Sequence, residues 1–312
     1  MENIQHVLSL SDVDGSYPSP IDLNIRHKVD IELPDLEWNH YEKTAHKMKV
    51  TNSGHTVVLS AKWKENKPFI ISGPLPDKYI FSQMHFHWGS NDNEGSEHTI
   101  EGFCFPMEMH VVHFKASYST RKIAHQRKDG LVVTVYLFQI QEIDNRNLSS
   151  LIDALPSVCV PYSSTSIMPS SLEDYAPPFS NNYFLYWGSV NTVTCSHEIL
   201  WFVCREPVGI SRKQLYYFRK LKGPDHQPMA NTFKGVQSLQ NRSLFLVNGE
   251  SPLDNTLKPL HLPPSSQIVR KVSHITGAQL QSAECFSVVD DDLVDIIPHA
   301  YSHNEKFLDK KK

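Results

Sequence analysis

Short runs of valine, isoleucine, leucine, phenylalanine and tyrosine recur along this chain between turn-forming residues, and runs of that length and composition read as β-strands. Residues 56–61, 79–88, 107–114, 131–140 and 199–204 are the clearest cases. Helical spacing, with apolar side chains three and four apart, is limited to residues 148–155 and 211–221, and Ser211 stands where the second needs an N-cap. The chain is therefore expected to be mainly β with short helices, and it contains no internal repeat.

The strand pattern gives meaning to the histidines. Side chains two apart on a strand point the same way, so in Gln83-Met84-His85-Phe86-His87-Trp88 both imidazoles share a face while Phe86 turns into the core behind them. His110, in Glu108-Met109-His110-Val111-Val112-His113, completes a tripod if its strand lies alongside. Three histidines with an open fourth position are what catalytic zinc needs, because that position receives the water that becomes the nucleophile. In a chain with 17 histidines, a His-x-His pair alone is often only a polar patch. Its surroundings argue otherwise. Gln83 and Glu108 each lie two residues before a proposed ligand, on its own face, and amides and carboxylates are the groups that accept the second N–H of a zinc-bound imidazole. His85, His87 and His110 are the candidate Zn2+ ligands, with Gln83 and Glu108 as their hydrogen-bond partners.

The order of motifs resembles the alpha-class carbonic anhydrases of animal type. The landmarks run from Ser19-Pro20-Ile21-Asp22 through Asn52-Ser53-Gly54-His55, Ser72-Gly73-Pro74-Leu75, the His85 segment, Gly95-Ser96-Glu97-His98-Thr99 and the His110 segment. They continue with Asp129-Gly130-Leu131, Tyr186-Trp187-Gly188-Ser189, Arg205-Glu206-Pro207 and Phe218-Arg219-Lys220-Leu221, ending near Gln237 to Arg242. This resemblance implies a large twisted, mostly antiparallel central sheet and the reversible hydration of carbon dioxide to bicarbonate and a proton at zinc. It also implies a substrate pocket drawn from Val112, Val133, Val190, Thr192 and Trp201. His55 falls at the position of the family's proton shuttle, a role suited to a side chain that titrates near neutrality. Glu97 matches the buried glutamate that accepts a hydrogen bond from a gatekeeper hydroxyl, and His98 matches a structural histidine bonded to a buried tyrosine, here Tyr186.

Several positions depart from the family pattern. Gly-Ser-Leu-Thr-Thr-Pro-Pro reads here as Gly188-Ser189-Val190-Asn191-Thr192-Val193-Thr194, at the same spacing to Trp201. The gatekeeper threonine has become Asn191. An asparagine can accept through its carbonyl and donate through its amide, but it is longer and planar and sets those atoms differently. Val193 and Thr194 replace prolines, and non-proline residues strongly avoid the cis peptide that proline permits. Val58 replaces a water-ordering asparagine, Pro18 replaces a glutamine, and the aromatic segment that usually precedes them is missing. The expected result is a zinc enzyme of reduced turnover; the alternative is a catalytically impaired relative acting through binding.

Composition adds limits. With 40% hydrophobic and 21% charged residues and a net charge of −4, the 312-residue chain gives no reason to expect nucleic acid or an anionic membrane as partner. No run of about 18 apolar residues is present, so no membrane insertion is expected. The start lacks the basic and apolar parts of a signal peptide, so the expected location is cytoplasmic, or secreted if a further segment precedes it. Five cysteines, an odd number, suit reduced thiols. The resemblance makes Cys195 half of a disulfide found in secreted relatives, yet no cysteine precedes Cys104 to partner it. The expected division is an irregular segment 1–16, an alpha carbonic anhydrase domain 17–246, and a largely disordered extension 247–312 interrupted by prolines.

Overall fold

In the computed structural model, which describes residues 2–10, 17–189 and 198–247, every run expected to form a strand does so. In chain order the strands are β1 (Asp22–Leu23), β2 (Lys28–Ile31), β3 (Leu36–Asn39), β4 (Lys47–Asn52), β5 (Val57–Lys62), β6 (Phe69–Ser72), β7 (Tyr79–Trp88) and β8 (Thr99–Ile100). They continue with β9 (Met107–Lys115), β10 (Leu131–Gln141), β11 (Ser164–Ile167), β12 (Tyr183–Ser189), β13 (Glu198–Cys204), β14 (Val208–Ser211) and β15 (Leu244–Val247). Short α-helices are α1 (Glu2–Ser9), α2 (Arg121–Ala124), α3 (Ser149–Ala154) and α4 (Arg212–Arg219).

A 13-stranded sheet runs in the order β11-β4-β5-β7-β9-β10-β13-β12-β15-β2, with β14 joined to β10 and β3 joined through β6 to β7. Pairing is mostly antiparallel; β10 pairs in parallel with β13 and β14, as does β15 with β2. The expected fold class, mainly β with short helices about a large, mostly antiparallel sheet, is borne out. Ser211 caps α4 as expected, and its side chain and that of Gln214 reciprocally satisfy each other's backbone N–H in a capping box.

The central strands are apolar on both faces because both are covered. Met84, Phe86, Met109, Val111 and Phe202 belong to a larger core that also receives Leu151 of α3 and Phe218 of α4. Val112, Val133, Val135, Trp201 and Val203 form a smaller core on the opposite face. Each such side chain contributes about 1.5–3 kcal/mol on burial, so register is strongly held here.

One irregularity decides where the histidines point. The pairing of β7 with β9 shifts between Phe81 and Gln83, so that Phe81 faces His113 while Gln83 faces Val112. Tyr79 and Phe81 lie in the larger core, and so do Met84, Phe86 and Trp88, although their residue parity differs. A β-bulge inserts one residue and re-aims the side chains beyond it. Here it anchors an aromatic pair in one core and then turns Gln83, His85 and His87 to the other face.

His113, three residues beyond His110, points into the larger core, where the Tyr41 hydroxyl bonds its Nε2 and the Trp38 and Phe81 rings pack against it. Burial drives its pKa down to about 3, so the folded protein holds it neutral. Between that value and an ordinary pKa of about 6.5, the unfolded chain binds a proton that the folded chain does not. Stability is therefore expected to fall as pH is lowered through that window. In urea melts at several pH values, His113→Phe should remove up to about 1.4 kcal/mol per pH unit from this slope; unchanged slopes would show that His113 is not its source.

Two features differ from the sequence expectation. Within the 1–16 segment expected to be irregular, Glu2–Ser9 forms α1. Ile4, Val7 and Leu8 share a helical face, Val7 is fully buried, and its carbonyl accepts the Trp187 Nε1–H at 2.8 Å, which ties the helix down. At the other end, β15 runs to Val247, the first residue of the expected extension. Residues 248–312 lie outside the described residues, as do Val190, Asn191, Thr192, Cys195 and Cys285. No helix among the described residues is long and apolar enough to cross a membrane.

Candidate metal centre

β7 and β9 are adjacent and antiparallel, with His85 opposite His110 and His87 opposite Glu108. The three imidazoles lie within 4.7–5.2 Å of one another by ring centroid, and all are buried. One potential ligand atom from each lies within 4.8 Å of the other two.

Hydrogen bonding fixes which nitrogen His87 and His110 offer. His87 Nδ1 lies 2.8 Å from the Thr232 carbonyl, which can only accept, so the ring proton sits on Nδ1 and the Nε2 lone pair is left over. That Nε2 is buried without a partner, as a metal ligand's lone pair must be before the ion binds. His110 Nε2 lies 2.6 Å from Glu108 Oε1, an arrangement that leaves Nδ1 as the ligand atom. His85 Nδ1 lies 3.1 Å from the Gln83 amide nitrogen and 3.2 Å from its oxygen, so Gln83 is its partner with either amide atom. Burial, followed by the neighbouring imidazoles, holds His85 well below the usual histidine range, and burial likewise lowers His110. These are neutral donors of the kind zinc takes, and the residues present fit the ion.

Glu108 holds the arrangement from behind. Its carboxylate accepts from His110 Nε2, His98 Nδ1 at 2.7 Å and the His98 backbone N–H at 2.7 Å. Burial alone would raise its pKa; the facing His98 and the hydrogen bonds from His110 and His98 outweigh burial and keep it well below the carboxylate range. His98 Nε2 then meets the Tyr186 hydroxyl at 2.7 Å, and Ser19 Oγ lies 3.1 Å from that hydroxyl. His98, Glu108 and His110 are also close enough to share an ion, but their polar atoms are already bonded to one another. Glu108→Gln is expected to lower zinc affinity about 10- to 100-fold, read by competition with a chromophoric chelator. Wild-type affinity in that variant would remove Glu108 from the site.

The family model for eukaryotic-type carbonic anhydrases matches residues 6–248. The chain belongs to this family. It is similar to carbonic anhydrase 4 of Mus musculus, with 31% identity over 253 residues that cover 79% of this chain and 80% of that protein. The rabbit protein of the same name, from Oryctolagus cuniculus, is 31% identical over 258 residues, covering 81% of each. A putative carbonic anhydrase 3 of Caenorhabditis elegans is 30% identical over 234 residues, covering 75% of this chain and 91% of that one.

Within this carbonic anhydrase fold Glu97, Val112 and Trp201 lie beside the triad, with Val133 next to them in register. Val112, Val133 and Trp201 are register partners across β9, β10 and β13, and the Trp201 ring lies 5.2 Å from that of His110. Glu97 is buried, with Oε1 accepting the Lys234 backbone N–H at 2.9 Å and lying 3.4 Å from His87 Nδ1. Val58 pairs with His85 on β5. His55 is half-buried in the turn before β5, next to Thr56, whose hydroxyl contacts the Phe86 backbone between the two β7 histidines. Asn191, Val190 and Thr192 lie outside the described residues. Sequence reasoning missed Thr232 and Lys234, because both act through main-chain atoms and those carry no residue-type signal.

Proposed function

We propose that this protein is a zinc enzyme that reversibly hydrates carbon dioxide to bicarbonate and a proton, with reduced turnover. The observation that carries this reading is the buried triad, with one potential ligand atom of each imidazole within 4.8 Å of the others and with His87 and His110 held by acceptors on their other nitrogens. Zinc held there by His85, His87 and His110 would supply Lewis acidity, lowering the pKa of water to about 7 and so making hydroxide available at neutral pH.

The chain's own residues supply the rest. Gln83, the Thr232 carbonyl and Glu108 keep the ligand imidazoles in orientation and tautomer. Val112, Val133 and Trp201 make an apolar wall suited to carbon dioxide. His55 takes the proton left after each turnover and passes it to buffer. Glu97 is the acceptor for the gatekeeper, the position that Asn191 holds in the sequence.

The test is stopped-flow hydration of carbon dioxide by protein of known zinc content, before and after chelation and after zinc is restored. A rate that vanishes and returns with zinc supports the proposal; a folded, zinc-loaded protein with no such rate rejects it. The second reading, an impaired carbonic anhydrase acting through binding, is favoured by Asn191 together with Val193 and Thr194. Its expected signature is full zinc occupancy without hydration.

A further inference from the structure

Tyr162 has a backbone that its residue type disfavours. Its φ is 62°, in the left-handed region where a bulky side chain is a rare and strained occupant. The turn is nonetheless strapped in place, with the Tyr162 N–H donating to the Asn52 carbonyl at 2.8 Å and the Asn52 N–H donating to the Ser163 carbonyl at 2.9 Å. The side chain is 64% exposed, yet one edge of its ring covers Gly54: a Cβ placed on that glycine would lie 3.1 Å from Cε1 and Cζ and 3.2 Å from Oη. Gly54 itself has φ +88° and immediately precedes His55. From the other side, Asn52 clamps the same turn, accepting the Gly54 N–H at 2.8 Å and donating to the carbonyls of Val158 and Lys222.

Glycine permits a wider range of dihedrals than any other residue, and the direction of the next side chain depends on them. We propose that Tyr162 is a positioning residue for His55, its ring closing over Gly54 so that the imidazole is held in the orientation from which it exchanges protons. This rests on the carbonic anhydrase reading, with His55 as shuttle. The step served moves one proton from cavity water to the imidazole and from there to buffer base. It makes and breaks only O–H and N–H bonds.

Proton release comes after the departure of bicarbonate, so slowing it lowers kcat and leaves kcat/KM untouched; the comparison is made in the Asn191→Thr background, where hydration is the faster step. The variants Tyr162→Gly, Tyr162→Phe, His55→Ala and the Tyr162→Gly/His55→Ala double variant separate the possibilities in the zinc-loaded full-length chain. Glycine tolerates the backbone of residue 162, so Tyr162→Gly removes the ring without adding strain. It is expected to lower kcat about 5-fold with kcat/KM unchanged, as for a catalytic group moved from its place. Tyr162→Phe should keep the wild-type kcat, and the double variant should be no slower than His55→Ala. A kcat that falls in His55→Ala but not in Tyr162→Gly overturns the role of Tyr162 alone. A wild-type kcat in His55→Ala overturns the shuttle and the proposal together.

A second measurement does not depend on activity. In 1H–13C spectra, the His55 Cε1–H signal should shift in Tyr162→Gly through loss of the ring current and of a fixed rotamer, and should stay near its wild-type position in Tyr162→Phe. An unmoved signal in the glycine variant would sink the proposal even if the enzyme is too slow for kcat to be resolved.

Discussion

His87→Ala is expected to abolish stoichiometric zinc binding and to lower carbon dioxide hydration by more than about 100-fold, beyond the loss typical for a residue that only orients a ligand. The reason is local. His87 Nδ1 is committed to the Thr232 carbonyl and its Nε2 is buried with no partner, so the side chain is arranged to give one lone pair to an ion. Without it, two imidazoles remain on the site, one short of the three protein ligands that catalytic zinc takes. An ion bound there is expected to stabilise the fold: at a free concentration 1,000 times its Kd, a ligand adds about 4 kcal/mol. Zinc content by elemental analysis, hydration rate and Tm should therefore fall together in His87→Ala, and the wild type treated with chelator should lose the same Tm increment. A His87→Ala protein with full zinc content and wild-type rate would refute the assignment of the triad.

Asn191→Thr is expected to raise kcat/KM by about 100-fold or more, the scale on which one positioned hydrogen-bond donor acts on a reacting oxygen. Glu97 already accepts the Lys234 N–H on Oε1, so a carboxylate suited to receive a gatekeeper donor stands beside His87 and His110. A threonine hydroxyl can donate to it and accept at the same oxygen, whereas the amide of Asn191 must use two atoms set apart on a plane. If the variant is no faster than a brisk wild type, the asparagine performs both roles and the reduced-turnover reading falls. If an inert wild type gains activity with threonine, the defect lies at this residue and the binding-protein reading gains ground.

Much of this site was legible along the chain, and the reasons are specific. The His-x-His spacing has a meaning only on a strand, and the flanking Phe86 and Trp88 marked that strand. Gln83 and Glu108 were legible as partners because the same two-residue period puts them beside their ligands, and both bonds are present. His98 and Tyr186, far apart in sequence, were joined only by the family resemblance, and their contact is also present. Thr232 was not legible, since a main-chain carbonyl belongs to every residue type. Nor was the bulge at Phe81 to Gln83, because a strict alternation through residues 79–88 would put Phe81 on the face of the histidines. The helical face of Ile4, Val7 and Leu8 was present at the N-terminus but too short to separate from irregular chain before its contact with Trp187 was known.

The sequence by itself determined the strands, the sheet-rich fold and which three histidines cluster, because side-chain period and residue type act locally and survive as patterns. Only the tertiary structure decided which face the histidines occupy, which nitrogen His87 and His110 present and that Tyr162 lies over Gly54. Those outcomes depend on strand register, on carbonyls brought from residues some 145 positions away and on packing between distant turns, and none of them is a property of a residue type or its spacing.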